Sequence, residues 1–494
     1  MESNRMGLLQ RLYHPSLSML TDLYELTMAY GYWKSGLAER EAVFSMVFRT
    51  LPFGGGFAVC CGLEPALEYL SRFSFSAEDV DYLRTLKGND GRPLFDQDFL
   101  TYLREMRLRL DVDAIPEGTI VFPHEPLLRI QGPLLQCQIV EPALLNLVNF
   151  QTLIATKAAR ICLAAQGDPV VDFGLRRAQG IDGSLSAARA AYIGGCAGTS
   201  NVLAGQLYGI PVSGTMAHSW VMSFEDELSA FRAYAEALPN NGVFLVDTYN
   251  SIEGIRHAIT IGLELRQRGH RLIGIRLDSG DLAYLSIEAR RMLDEAGLPE
   301  AVIAASNELD EHTIESLKKQ GARINFWGVG TRLITAADDP ALGGIYKLSA
   351  LRDASGAWQY KVKLSEQVAK TSTPGILQVL RFEEGTEYRH DMIYDEMHAP
   401  AQPNTVMVDP KDQTRRKAIV LRVPHEALLL NVMKQGEVAV EAPGLAEIRS
   451  RTLEQLGRFY PGIKRLLNPH EYPVGLEQRL YEIKTRLVLK ARGM

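Results

Sequence analysis

The chain has 494 residues, 46% of them apolar and 23% charged, which is more than one typical domain needs and suits a globular protein of two or three. Lysine plus arginine number 53 against 59 aspartates and glutamates, and the formal charge of −6 excludes a general basic field for nucleic acid or membrane surfaces. Five cysteines form no C-x-x-C pair or metal spacing, and neither a signal peptide nor an apolar run of about 18 residues is present, so a cytoplasmic protein is expected.

Residues 1–140 read as an N-terminal α+β domain. A helix is predicted from Asp22, with Glu25 three positions on as a capping-box partner, ending before Gly36. Strands are predicted at Ala42 to Phe48 and Phe57 to Cys61. From Asp113 to Val140, prolines and glycines at Pro116, Gly118, Pro123, Pro126, Gly132 and Pro133 mark the short strands of a compact β layer. The adjacent Cys60 and Cys61 sit in an apolar run and read as core residues.

Residues 141–350 change period. A long helix starts near Pro142 and runs on an apolar stripe that includes Leu144, Val148, Ala155, Ala159 and Leu163, with Gly167 as its stop. Strands are then predicted near 169, 211, 243, 272, 301 and 324. The last four intervals, 23 to 32 residues, each suit one βα unit. Six units, with a possible seventh strand at Ile345 to Leu348, predict an irregular, incomplete βα barrel; a doubly wound sheet is the structural rival. Residues 351–494 form a mixed region, with strands predicted at Trp358 to Leu364, Ile376 to Phe382 and Ala418 to Val423 and amphipathic helices near Leu445 to Leu456 and Leu476 to Leu489.

Each barrel strand ends on a polar or glycine-rich tip: Asp172-Phe173-Gly174, Ser213-Gly214-Thr215, Asp247-Thr248-Tyr249, Asp278-Ser279-Gly280-Asp281, Ser306-Asn307-Glu308 and Gly328-Val329-Gly330-Thr331. In a βα barrel these ends share one mouth, where active sites of that architecture lie. Ser279 and Gly280, and Gly328, Gly330 and Thr331, are the candidate phosphate holders. Their glycines let backbone N–H groups approach an oxyanion closely, and a following helix adds a favourable dipole. Asp247 and Asp278 could bind ribose hydroxyls, hold Mg²⁺ through water or offset positive charge on a sugar carbon; each could equally cap the next helix. Arg176 and Arg276 are candidate anion ligands, while Arg177 reads as a surface charge. His218 follows a short strand at the height of the other tips; position alone leaves a structural and a nucleophilic role open. The remaining histidines are scattered without ligand spacing, and no protein-held metal is expected.

Five motifs taken together, Thr21-Asp22-Leu23-Tyr24, Asp172 through Ala178, Gly214-Thr215-Met216-Ala217-His218-Ser219, Gly274 through Asp281 and Gly328 through Thr331, resemble those of the nicotinate phosphoribosyltransferase family. The Lys363-Leu364-Ser365 stretch extends the resemblance into the third region. It implies an irregular barrel and conversion of nicotinate and phosphoribosyl pyrophosphate to nicotinate mononucleotide and pyrophosphate. The reaction is coupled to ATP hydrolysis, is classed as a ligase and opens NAD salvage from nicotinate. The resemblance makes His218 a transient phosphohistidine, ATP a co-substrate and Mg²⁺ a substrate-bound ion. Tyr24 and Phe173 would sandwich the pyridine ring, the tyrosine reaching in from a second subunit of an obligate homodimer. Arg276 and Thr215 would take the carboxylate, Asp247 and Asp278 the ribose, Arg176 the phosphates, and Gly328, Gly330 and Thr331 the 5′-phosphate. Ser200 stands where nicotinamide-using relatives place an aspartate, and a carboxylate there would repel nicotinate. Rivals are a nicotinamide- or quinolinate-using transferase on the same fold, and a barrel aldolase, for which Lys347 is the only lysine near a strand end.

Overall fold

The computed structural model describes residues 16–365, 371–400 and 403–494. Its first helix, Leu23–Lys34, has Asp22 at the N-cap position, but that carboxylate makes no capping bond. Glu25 turns inward instead of closing the expected capping box. It is fully buried and accepts a 2.9 Å hydrogen bond from Gln138 Nε2. Strands β1 (Glu41–Phe48), β2 (Ala58–Val59), β3 (Asp111–Ala114), β4 (Ile120–Val121) and β5 (Leu128–Pro133) follow. The β layer stops at Pro133 rather than Val140, because Leu134–Ile139 is a short helix with every side chain buried.

The long helix, Glu141–Ala164, is more deeply embedded than one apolar stripe predicts. Thr152, Thr156, Lys157 and Arg160 are buried along with its apolar residues, so it passes through the core between other layers. Its two buried cations share one carboxylate. Lys157 Nζ lies 2.7 Å from Glu311 Oε2 and Arg160 Nε 2.8 Å from Glu311 Oε1, which pins the helix to a barrel helix, Glu311–Lys319.

Strands β6 (Val170–Asp172), β7 (Gly198–Thr199), β8 (Val243–Leu245), β9 (Gly274–Leu277), β10 (Val302–Ala305) and β11 (Phe326–Val329) form one sheet in the order β7-β6-β11-β10-β9-β8. Every pairing in it is parallel. This is the circular order of a βα barrel cut open between β7 and β8, which do not pair among the described residues. The fold is the expected α/β class with an incomplete barrel. The strand predicted near 211 is reduced to a single parallel bridge from Val212 to Thr199, on the free edge of β7, because Pro211 has no N–H with which to extend a ladder.

The predicted seventh barrel strand lies elsewhere. Ile345 to Leu348 belong to β12 (Gly344–Arg352), which runs antiparallel to β1 and continues into β13 (Trp358–Tyr360). Beyond it come β14 (Leu377–Glu384), β15 (Glu387–Asp395), β16 (Asn404–Val408), β17 (Arg416–Val420), β18 (His425–Ala427), β19 (Leu430–Lys434), β20 (Glu437–Val438) and β21 (Val474–Glu477). The chain thus completes its N-terminal sheet late, in the order β13-β12-β1-β5-β3-β19-β20, while β17-β16-β21-β15-β14-β18 make a separate sheet. Leu476, expected to open the last helix, sits in β21, and that helix spans Gln478–Ala491. Arg381 ties this last sheet to the body. Fully buried, it bonds Asp391 and donates to the carbonyl of Ile120 at 2.8 Å. Among the described residues no helix is long and apolar enough to cross a membrane.

Candidate active site at the barrel mouth

Helix capping separates the two readings of the strand-end aspartates. Asn250 caps Ser251–Gln267, accepting from Ile252 N and Glu253 N at 3.1 Å, and Asp281 caps Leu282–Glu295, accepting from Tyr284 N at 3.0 Å. Asp247 and Asp278 cap neither helix. Asp247 Oδ2 instead bridges to the next strand end, accepting from Asp278 N at 3.0 Å and Ser279 Oγ at 2.5 Å. Its other oxygen, Oδ1, is buried without a hydrogen-bond partner among the described residues. Ser306 Oγ, at the end of β10, donates to Asp278 Oδ1.

His218 opens the short helix His218–Met222. One ring nitrogen, Nδ1, lies 3.1 Å from Thr248 Oγ1, and the other, Nε2, lies 3.7 Å from Asp278 Oδ2. The ring is about two-fifths exposed, so it is oriented from both sides and still open to a reactant. Residues from the segment after β7 and from the ends of β8, β9 and β10 therefore meet in one cluster.

Arg276, on β9, is half-buried. Nη1 donates to Thr215 Oγ1, whereas Nε is buried with no hydrogen-bond partner among the described residues. Burial holds its pKa below the usual guanidinium value, with Asp278 and Asp247 opposing that fall and nearby Arg176 adding to it. A desolvated guanidinium with an idle N–H is suited to a carboxylate ligand. Arg176 itself is exposed, on the turn Leu175–Arg177.

On the far side of the ring, Phe173 N donates to the Val329 carbonyl at 2.8 Å, which joins the β6 and β11 tips. Gly328 makes this possible: a Cβ there would lie 2.4 Å from Phe173 Cε2. Asp172 is buried and structural, accepting from Gly174 N at 2.7 Å and Thr199 Oγ1 at 2.8 Å, and burial raises its pKa. Ser200 N donates to the Asp172 carbonyl at 2.8 Å, so Ser200 stands at the mouth end of β7. The helix after Gly330 is only Thr331–Ile334, too short for a strong dipole, and leaves the backbone N–H groups and the Thr331 hydroxyl as the donors of that tip. Gly280, at φ +79°, gives the β9 tip its left-handed turn, with Ser279 and Gly280 both exposed.

Tyr24 is not part of this cluster within one chain. It is 48% exposed on the first helix and makes no ring contact with Phe173 among the described residues. Lys347 lies in β12, its Nζ 3.5 Å from Glu141 Oε1, away from the barrel strands, so the aldolase reading loses its lysine. Thr248 and Ser306 were the residues that sequence reasoning left without roles. Both stood in strand tips, but only the direction of their hydroxyls shows that they position His218 and Asp278.

Three family models tile the chain: the nicotinate phosphoribosyltransferase N-terminal domain over residues 19–149, the nicotinate phosphoribosyltransferase family over 169–373 and the nicotinate phosphoribosyltransferase C-terminal domain over 378–484. The chain is 43% identical to nicotinate phosphoribosyltransferase of Bacillus subtilis over 485 residues, 96% of this chain and 97% of that one. The crystal structure of human nicotinic acid phosphoribosyltransferase superposes with a TM-score of 0.82 at 33% identity, covering 94% of this chain and 99% of the human one. Nicotinate-nucleotide pyrophosphorylase from Pyrococcus furiosus, at 24% identity and a TM-score of 0.68, shares the fold. With an open six-strand barrel, a histidine flanked by strand-end polar groups and this similarity along nearly its whole length, the chain belongs to the nicotinate phosphoribosyltransferase family, whose members are phosphoribosyl-transferring enzymes.

Proposed function

We propose that this protein joins nicotinate to the ribose of phosphoribosyl pyrophosphate, releasing nicotinate mononucleotide and pyrophosphate, and that ATP drives the reaction through a phosphate carried on His218. The observation that carries this reading is the convergence of His218, Asp278, Asp247 and Arg276 on neighbouring strand ends. Arg276, with Thr215 beside it, suits the nicotinate carboxylate, and uncharged Ser200 offers that carboxylate no repulsion. Phe173 supplies one aromatic face for the pyridine ring.

When pyrophosphate leaves C1 of the ribose, positive charge grows on that carbon. Asp247 and Asp278 suit its stabilisation, and the pyridine nitrogen attacks without a general base. Mg²⁺ arriving on the pyrophosphate supplies charge neutralisation for the leaving group; the unpartnered Oδ1 of Asp247 suits a water of that ion. Exposed Ser279 and Gly280 and half-buried Gly330 and Thr331, with Arg176, suit the phosphates. His218 accepts the γ-phosphoryl group of ATP as ADP leaves, and water later releases it as phosphate. Nicotinate mononucleotide is a precursor of NAD, so the reaction serves salvage of nicotinate.

The reading includes a homodimer with shared sites. Leu20, Leu23 and Tyr24 are exposed together near the first helix, and Val202, Leu203, Leu207 and Val212 are exposed beside the open seam of the barrel. Two apolar surfaces of this kind suit each other's burial between subunits. Labelled ATP gives the decisive test. Wild-type protein is expected to take up acid-labile phosphate and to form nicotinate mononucleotide faster with ATP than without, and His218→Ala to do neither. Uptake undiminished in His218→Ala removes the histidine from the mechanism, and a preference for nicotinamide over nicotinate removes the assigned substrate.

A further inference from the structure

A second cavity, of about 1010 Å³, opens between the N-terminal sheet and the last sheet. None of the barrel tips lines it. Six lysine and arginine side chains face it, Arg49, Lys411, Arg415, Arg416, Lys417 and Lys484, against two carboxylates, Asp409 and Glu471. Glu471 is engaged at the exposed rim, 2.7 Å from Lys411 Nζ.

Two of the cations face neutral groups instead. Lys484, on the last helix and only partly exposed, donates to Thr373 Oγ1 at 3.1 Å. Lys417 Nζ lies 3.0 Å from His390 Nδ1. Burial pulls Lys484 down to about 8. His124 falls to about 4, through burial first and then the charges of Lys484, Lys411 and Arg49. Its backbone is held at φ +72°, with its N–H on the Phe48 carbonyl at 2.9 Å, which fixes the ring at this wall. Lysines and arginines in excess of the carboxylates around a partly desolvated space, even with Arg415 paired to Asp412 at the exposed rim, disfavour one another unless an anion joins them. Ile393, Met407, Leu476 and the ring of Phe122 give the same cavity an apolar side. Its volume suits a ligand larger than a free phosphate.

We propose that this cavity is a binding site for a phosphate-bearing anion of nucleotide size, with Lys484 and Thr373 taking the phosphate and the apolar wall receiving the remainder. The site is separate from the barrel mouth and does not depend on the reaction assigned there. Acetic anhydride labelling read by peptide mass spectrometry tests it on the intact wild-type protein, because burial lowers the Lys484 pKa and leaves it more free amine near neutral pH than an ordinary lysine has. Pyrophosphate or adenosine monophosphate at millimolar concentration is expected to lower acetylation of Lys484 several-fold, and adenosine to leave it unchanged. The same protection is expected in Arg276→Ala, whose barrel mouth is altered, and one component of the calorimetric binding is expected to be lost when Lys484→Met is added, the component held by the barrel-mouth phosphate groups remaining. Labelling of Lys484 unchanged by either phosphate compound, or protection that disappears in Arg276→Ala, overturns the proposal.

Discussion

Arg276 shows how much of a residue's chemistry depends on what surrounds it. Its type and place on a strand pointed to an anion, but the desolvation and the idle Nε appear only once β9 is packed in the ring. Replacing it with alanine removes a charge-assisted bond of about 1.5–3 kcal/mol. The expected result is a KM for nicotinate raised roughly tenfold to a hundredfold, with a far smaller change for nicotinamide. Steady-state kinetics on both bases checks this, and equal losses for the two would separate Arg276 from the carboxylate. The strand-end aspartates make the same point in another way. Asp caps helices well, so Asp247 and Asp278 were ambiguous until Asn250 and Asp281 were found in the capping positions.

At the scale of elements, the first helix departs most from its sequence signature. Glu25 stood at capping-box spacing, yet it is buried, and burial outweighs the Gln138 hydrogen bond to push its pKa from 4.5 up to about 7. The folded value lies above the unfolded one, so the folded state binds more protons between the two. Stability is therefore greatest near and below pH 4.5 as far as this group is concerned, and falls as pH rises toward about 7. At higher pH the buried charge costs about 3 kcal/mol at most. Glu25→Gln keeps a partner for Gln138 and removes the charge. Its melting temperature is expected to exceed that of wild type at pH 8 and to match it at pH 5; thermal melts across that range check it. An identical pH slope in both proteins would show that Glu25 does not titrate in the fold. The long helix Glu141–Ala164 was legible in extent from Pro142 and its apolar period, but its buried Lys157 and Arg160 were not. Their shared partner, Glu311, lies about 150 residues away, and no local pattern encodes that distance.

At the scale of the molecule, Tyr24, which the resemblance makes the second aromatic face, stands exposed on the first helix without ring contact to Phe173 among the described residues. A shared-site dimer predicts complementation. Tyr24→Ala and His218→Ala proteins are each expected to be nearly inactive. Mixing and reassociating them in equal amounts is expected to restore about a quarter of wild-type activity, because half of the dimers then carry one site free of both changes. No recovery, with mixed dimers shown to form, rules out a site built from two chains. The returning strands β12 and β19 show the same long-range logic within one chain, since the first sheet is finished by residues far along the sequence.

By itself the sequence determined the alternation of strands and helices, the polar tip on each barrel strand and the incompleteness of the ring, because these follow from local apolar period and local turn chemistry. Only the tertiary structure decided which tips meet, that β7 enters the ring between β6 and the residues near 211, that Ile345 to Leu348 join β1, and which hydroxyls orient His218 and Asp278. Those outcomes depend on strand pairing and side-chain direction between segments distant in the chain, where packing energy rather than neighbouring residues selects the arrangement.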